Sequence, residues 1–159
     1  MSGLPALGSR GEGWVAIQVV LLAAILVVPF ASGGAWSKEV RWVTTLAGGL
    51  LGVAGLVLAA LGITQLKSAL TPLPHPRDGA ELVEDGVYGR VRHPIYGGLI
   101  IGATGWSLLT ASPAALALTI VLIVFFRLKS AREEAWLRDR YTGYADYAAR
   151  TKRMIPGIY

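Results

Sequence analysis

From Trp42 to Leu66 the chain reads WVTTLAGGLLGVAGLVLAALGITQL, without one charged side chain. A bilayer-spanning helix needs about 20 such residues, so this run is long enough to cross with some tilt. Only a helix or a closed barrel satisfies its own main-chain donors and acceptors inside hydrocarbon. Gly48, Gly52 and Gly55 would weaken a helix in water. In a bilayer, small residues let two helix backbones approach closely. The run therefore reads as a membrane helix with a face built for another helix.

Three further apolar runs surround it. WVAIQVVLLAAILVVPFA, from Trp14 to Ala31, has Gln18 as its one polar residue. It sits near the short end of the range of about 17–25 residues for a span. A cleavable secretory signal is the alternative: Arg10 precedes the run and small residues follow it. Its length and Glu12 at its start argue against cleavage. IYGGLIIGATGWSLLTA (Ile95 to Ala111) and AALALTIVLIVFF (Ala114 to Phe126) are each short for an independent span. Joined by Ser112-Pro113, they read as a helical hairpin. The expected fold is all-α: a polytopic membrane protein with about four transmembrane helices, the last two a short hairpin. A C-terminal cytosolic or interfacial helix follows. Residues 1–66 form a two-helix membrane region and 67–159 a region of loop, hairpin and C-terminal helix, in one integrated unit.

Charge is scarce and unevenly placed. Only 16% of residues are charged, against about 25% in soluble domains. The basic excess, net +5, would by itself admit nucleic acid, anionic lipid or an acidic ligand. If the N-terminus, the 67–93 loop and the C-terminal tail share one side, that side holds all cations except Lys38 and Arg41. The positive-inside rule predicts this for four crossings with both ends cytoplasmic. Topology thus accounts for the excess, and nucleic acid is not expected as a partner. Trp14, Trp36 and Trp42 lie at run ends, as interfacial anchors do. With no cysteine and two histidines, His75 and His93, no disulfide framework or metal site is expected.

Three constellations could carry chemistry. In VRHPIY, Val91 to Tyr96, Pro94 suits the first position of a helix and His93 falls at its N-cap. Arg90, Arg92 and the helix N-terminus make an anion-attracting corner. Gly97, Gly98, Gly102 and Gly105 bare part of that helix for a flat ligand or another helix. The same residues also serve as a plain interfacial anchor. In FFRLKSAREEAWL, Ser130 to Glu133 matches a capping box and Glu134–Arg138 a favourable helix pair, so a capped surface helix is expected to start there. Arg127, directly after Phe125-Phe126, must snorkel or pair. Tyr141, Tyr144 and Tyr147 recur every three residues, as in an amphipathic helix lying on the membrane with its tyrosines toward headgroups.

Their order carries a resemblance. LVEDGVYGRVRHPIY (Leu82 to Tyr96), the hairpin, EEAWL (Glu133 to Leu137) and YTGYADY with RMIP behind it resemble the isoprenylcysteine carboxyl methyltransferase and phospholipid methyltransferase superfamily. The resemblance covers roughly the C-terminal half. It implies an integral-membrane enzyme using S-adenosyl-L-methionine on a lipid-borne or hydrophobic acceptor. It further implies main-chain cofactor contacts at Leu82 and Val83, and a lining from Tyr88, His93, Pro94 and Tyr96. Glu133 or Glu134 would bind the cofactor's polar groups. Arg127 matches the arginine that orients a substrate carboxylate, with Lys129 as the other candidate. Ala80 and Leu73 stand where family members carry polar contacts, which implies that these are lost or replaced. For O-methylation of a carboxylate the residues would mainly align. For N-methylation of an aminophospholipid, Glu133, Glu134 or His93 would act as base. A membrane scaffold without activity is the alternative of another class.

Overall fold

The computed structural model describes residues 5, 7–32, 34–66, 69–75 and 79–158. Lys67 and Arg77, counted above on the basic side, lie outside them. The chain folds as α1 (Glu12–Ser32), α2 (Lys38–Leu66), α3 (Pro94–Leu109), α4 (Pro113–Arg140) and α5 (Tyr144–Arg150). There is no β-strand among the described residues; a single parallel bridge joins Val91 to Lys152. By length and composition α1, α2 and α4 can each cross a membrane. α3, with 16 residues, spans about 24 Å, short of the ~30 Å hydrocarbon core.

The turns after α1 and before α4 meet at one end, where Ala35 N–H donates to the Ala111 carbonyl at 3.0 Å. Residues around Arg10, the described residues between 69 and 93 and the segment around Lys152 gather at the other, where His75 N–H donates to the Arg10 carbonyl at 3.4 Å and Arg92 N–H to the Lys152 carbonyl at 2.9 Å. Pro94 begins α3 as expected, and Ser112 caps α4 by accepting from Ala115 N–H at 3.2 Å.

The glycines of α2 and α3 face one another. A Cβ added at Gly55 would lie 2.5 Å from Gly102 N, and one at Gly105 would lie 2.6 Å from Gly52 N. Backbone thus meets backbone, giving the close van der Waals packing on which helix association in lipid depends. Of the two occupants expected for the bare face of α3, the structure places a helix there. Gly97 lies instead against the Met154 carbonyl of the C-terminal segment.

Two expectations are corrected. The capping box does not start a helix: α4 runs unbroken through Ser130, whose hydroxyl donates back to the Arg127 carbonyl at 3.1 Å. Nothing between Ala114 and Arg140 breaks a helix, and serine tolerates the interior by bonding one turn back. Trp14 is not an interfacial anchor. It is 4% exposed and packs on Phe125 at 5.7 Å between ring centroids, because the first turn of α1 is laid on α4. Trp42, 68% exposed, does face outward.

Candidate functional site

At the basic end a cavity of about 330 Å³ lies between the 69–93 segment, α3, α4 and α5. Its first wall is the irregular stretch from Ala80 to Val83. Tyr141 Oη donates to the Ala80 carbonyl at 2.5 Å, and Arg150 pairs with Glu84. Between these ties, the main-chain N–H and C=O groups of Leu82 and Val83 take no partner among the described residues. Tyr88 is anchored by donating to the Gly62 carbonyl at 3.2 Å, and Tyr147 donates to the Tyr88 carbonyl at 2.9 Å. Burial pushes both phenols above their ordinary range, so both remain donors at neutral pH.

The second wall is a ladder of rings. His93 stacks on Tyr96 at 5.4 Å, and Tyr96 stacks on Phe126 at 4.6 Å. His93 occupies the N-cap position of α3, yet its side chain does not cap the helix. The ring points at α4 instead: Nε2 lies 3.3 Å from Glu134 Oε1 and Nδ1 lies 3.7 Å from Glu133 Oε2.

α4 forms the third wall. Lys129, Glu133 and Leu137 fall four residues apart, on one face, and all three line the cavity. Glu133 accepts from Tyr96 Oη at 2.8 Å. Glu134, about 100° further round the helix, turns away from the cavity and is itself fully buried, under a cluster of arginines. It accepts from Arg92 Nε at 3.0 Å, and from Arg138 Nη2 and Arg153 Nη2, each at 3.1 Å. Arg92 also donates to the Thr151 carbonyl at 2.5 Å. The C-terminal segment is thereby locked beside the start of α3, where His93 N–H donates to the Arg153 carbonyl at 2.8 Å.

α5 closes the site. Tyr144 and Tyr147 do not lie on a membrane surface; they are buried and line the cavity. The Tyr144 hydroxyl is buried without a hydrogen-bond partner. Burial first, and the Glu134 carboxylate second, keep it protonated. A buried hydroxyl left unfilled costs about 1–3 kcal/mol, which a polar ligand in the cavity would recover.

The remaining side is apolar. It reaches Gln18 on α1, Ile63 and Leu66 on α2, and Leu70. α1 and α2 make no contact with each other among the described residues.

The structure thus gathers Leu82, Val83, Tyr88, His93, Tyr96 and Glu133 in one cavity. It sets Pro94, Glu134 and Arg127 outside the lining. Pro94 packs on α2, its Cγ 3.0 Å from where a Cβ on Gly62 would stand. Arg127 is exposed, whereas Lys129 is fully buried inside the site. Between these two cations, the cavity takes Lys129. Ala80 and Leu73 also line it, apolar as expected. Gln18 and Tyr144 were not candidates. Gln18 was marked only as a lone polar residue in an apolar run, Tyr144 only by its spacing.

The sequence pattern described as phospholipid methyltransferase matches residues 43–143, most of the chain. The chain belongs to the phospholipid methyltransferase family. All the helical walls of the cavity except α1 and α5 fall within this family match. Among curated relatives, a probable protein-S-isoprenylcysteine O-methyltransferase from Oryza sativa is 30% identical over 121 residues, covering 74% of this chain and 63% of the relative. A cobalt-zinc-cadmium resistance protein from Cupriavidus metallidurans is 27% identical over 149 residues, covering 91% of this chain and 62% of the relative. The chain therefore spans a little over three fifths of these relatives. A solved eukaryotic intramembrane Ras methyltransferase, an isoprenylcysteine carboxyl methyltransferase, superposes with a TM-score of 0.67 over 96% of this chain and 55% of that one, at 21% identity. This family member therefore shares its fold with that membrane enzyme, and it is an integral membrane protein.

Proposed function

We propose that the protein is a membrane methyltransferase that uses S-adenosyl-L-methionine and methylates a carboxylate on a lipid-borne acceptor, of the isoprenylcysteine type. One observation carries this reading: a single cavity combines unfilled polar groups with an apolar side between two helices that do not touch. A polar cofactor suits the first and a lipid chain the second.

The lining fits the cofactor chemically. Glu133 would accept from its ammonium or its ribose hydroxyls. Tyr144 and Arg92 would donate to its carboxylate. The free main chain of Leu82 and Val83 would meet the adenine edge, with apolar side chains against its faces. An aromatic face such as Tyr96 would support the sulfonium. When bound, the cofactor supplies a methyl group already activated on sulfur.

A carboxylate acceptor is already a nucleophile at neutral pH. The protein's own residues then have alignment to perform, with no proton to move. Lys129 holds the acceptor's acid group, and the Tyr96–Phe126 stack keeps water from that end. The acceptor's chain enters from the bilayer between α1 and α2. The basic end faces the cytosol by the positive-inside rule, which gives the cofactor access there. An aminophospholipid acceptor would have to lose a proton to Glu133 or His93 and would meet Lys129 as a like charge.

The test is methyl transfer in detergent from tritiated S-adenosyl-L-methionine, with N-acetyl-S-farnesylcysteine and phosphatidylethanolamine as competing acceptors. A base-labile methyl ester on the farnesylcysteine is expected. Label on the phospholipid amine would identify the N-methylating alternative. Label on neither, with no cofactor binding, would leave a scaffold.

A further inference from the structure

We infer that Gln18, on the first membrane helix, is a positioning residue that aims the Lys129 ammonium at the acceptor's acid group and so sets a preference for anionic head groups. This rests on the proposed activity but goes beyond it, since that activity gives Gln18 no task.

An ammonium has three N–H donors. Lys129 Nζ donates to Gln18 Oε1 at 2.5 Å and to the Pro72 carbonyl at 3.1 Å. Its charge lies 5.1 Å from the centre of the Tyr96 ring. Among the described residues its side chain makes no other hydrogen bond or ion pair. One N–H is therefore left for the cavity, in a fully buried side chain that lines it.

The missing ion pair is informative. Glu133 follows Lys129 by four residues on the same face, within reach of an ion pair although in the less favourable order. Here the two charges are near each other but make no salt bridge among the described residues. Gln18 and Pro72 draw the ammonium away, and Glu133 accepts instead from Tyr96 Oη at 2.8 Å. Without Gln18, Lys129 is free to swing onto Glu133, and the charge offered to the acceptor is cancelled. The pairing also explains the single polar side chain in the apolar run from Trp14 to Ala31: a partly buried amide away from water is costly unless bonded.

The test measures equilibrium binding in detergent, with S-adenosylhomocysteine present to prevent turnover. The probes are N-acetyl-S-farnesylcysteine and its methyl ester, which lacks the charge. Wild type prefers the acid. Gln18→Met, close in shape but without the acceptor oxygen, reduces the acid-to-ester preference about tenfold. Affinities for the ester and for S-adenosylhomocysteine stay within about twofold, which also reports an intact fold. Gln18→Glu, which pairs with Lys129 directly, reduces the preference at least as far and is the second variant should Gln18→Met not fold. In turnover, acceptor KM rises about tenfold for Gln18→Met while kcat stays within about twofold. An unchanged acid-to-ester ratio in a variant that still binds both probes overturns the role of Gln18 alone. A wild type that binds neither probe nor S-adenosylhomocysteine overturns the proposed activity and this inference together.

Discussion

Arg92 Nε donates to Glu134 Oε1 at 3.0 Å across 42 positions of sequence. That bond joins the loop before α3 to the C-terminal part of α4, and Arg138 and Arg153 converge on the same carboxylate. Adjacent glutamates thus do different work: Glu134 holds the walls together and Glu133 faces the space between them.

Removing the fully buried Glu134 carboxylate leaves the partly buried Arg92 and Arg153 without their counter-charge. Breaking a buried pair from one side costs about 3–5 kcal/mol. Glu134→Gln should therefore lower the thermal midpoint in detergent far more than Arg138→Met does, since Arg138 is half exposed. Equal midpoints for the two variants would contradict the hub role.

Glu133→Gln should show the opposite profile. Its carboxylate is partly exposed and takes no bond from the arginines that converge on Glu134, so the thermal midpoint should fall far less. Affinity for S-adenosylhomocysteine should fall about tenfold, the scale of a lost charge-assisted hydrogen bond. A large loss of stability with unchanged affinity would reverse the two assignments.

Tyr144→Phe removes a buried hydroxyl that has no hydrogen-bond partner among the described residues. The ligand-free protein should be as stable as wild type or slightly more so, because a buried polar group is relieved. Cofactor affinity should fall by about threefold to tenfold. A destabilised ligand-free protein, measured by thermal melt, would show that the hydroxyl has a structural task.

The glycine faces make a graded prediction. Gly55→Ala places a methyl 2.5 Å from Gly102 N, whereas a Cβ at Gly102 meets nothing within 4 Å. Gly55→Ala should cost about 1–3 kcal/mol, the range for overpacking, and Gly102→Ala should be silent or stabilising. The midpoints of the two variants, melted side by side, check the helix register.

Much of this architecture can be read from particular residues. The uncharged run at Trp42–Leu66, Pro94 at a helix start and the Ser112-Pro113 turn each act locally, so each is legible. Leu82, Val83, Tyr88, His93 and Tyr96 line one cavity, while Pro94 between them packs on α2. What escapes is whatever depends on the packing partner. Tyr144 and Tyr147 have the same spacing whether their face meets lipid or protein, and here it meets the cavity. Ser130 matches a cap but lies where the helix has no reason to stop. Glu133 and Glu134 differ only by one step of helical rotation, and only the position of Arg92 and Arg153 separates them. Lys129 and Gln18 are 111 positions apart, beyond any local pattern.

The central claim is that this cavity binds S-adenosyl-L-methionine. It is met most directly by calorimetric titration of the detergent-purified protein with that molecule. Saturable one-to-one binding, weakened by both Glu133→Gln and Tyr144→Phe, is the predicted result. No binding at high micromolar cofactor by a protein that melts cooperatively would contradict it.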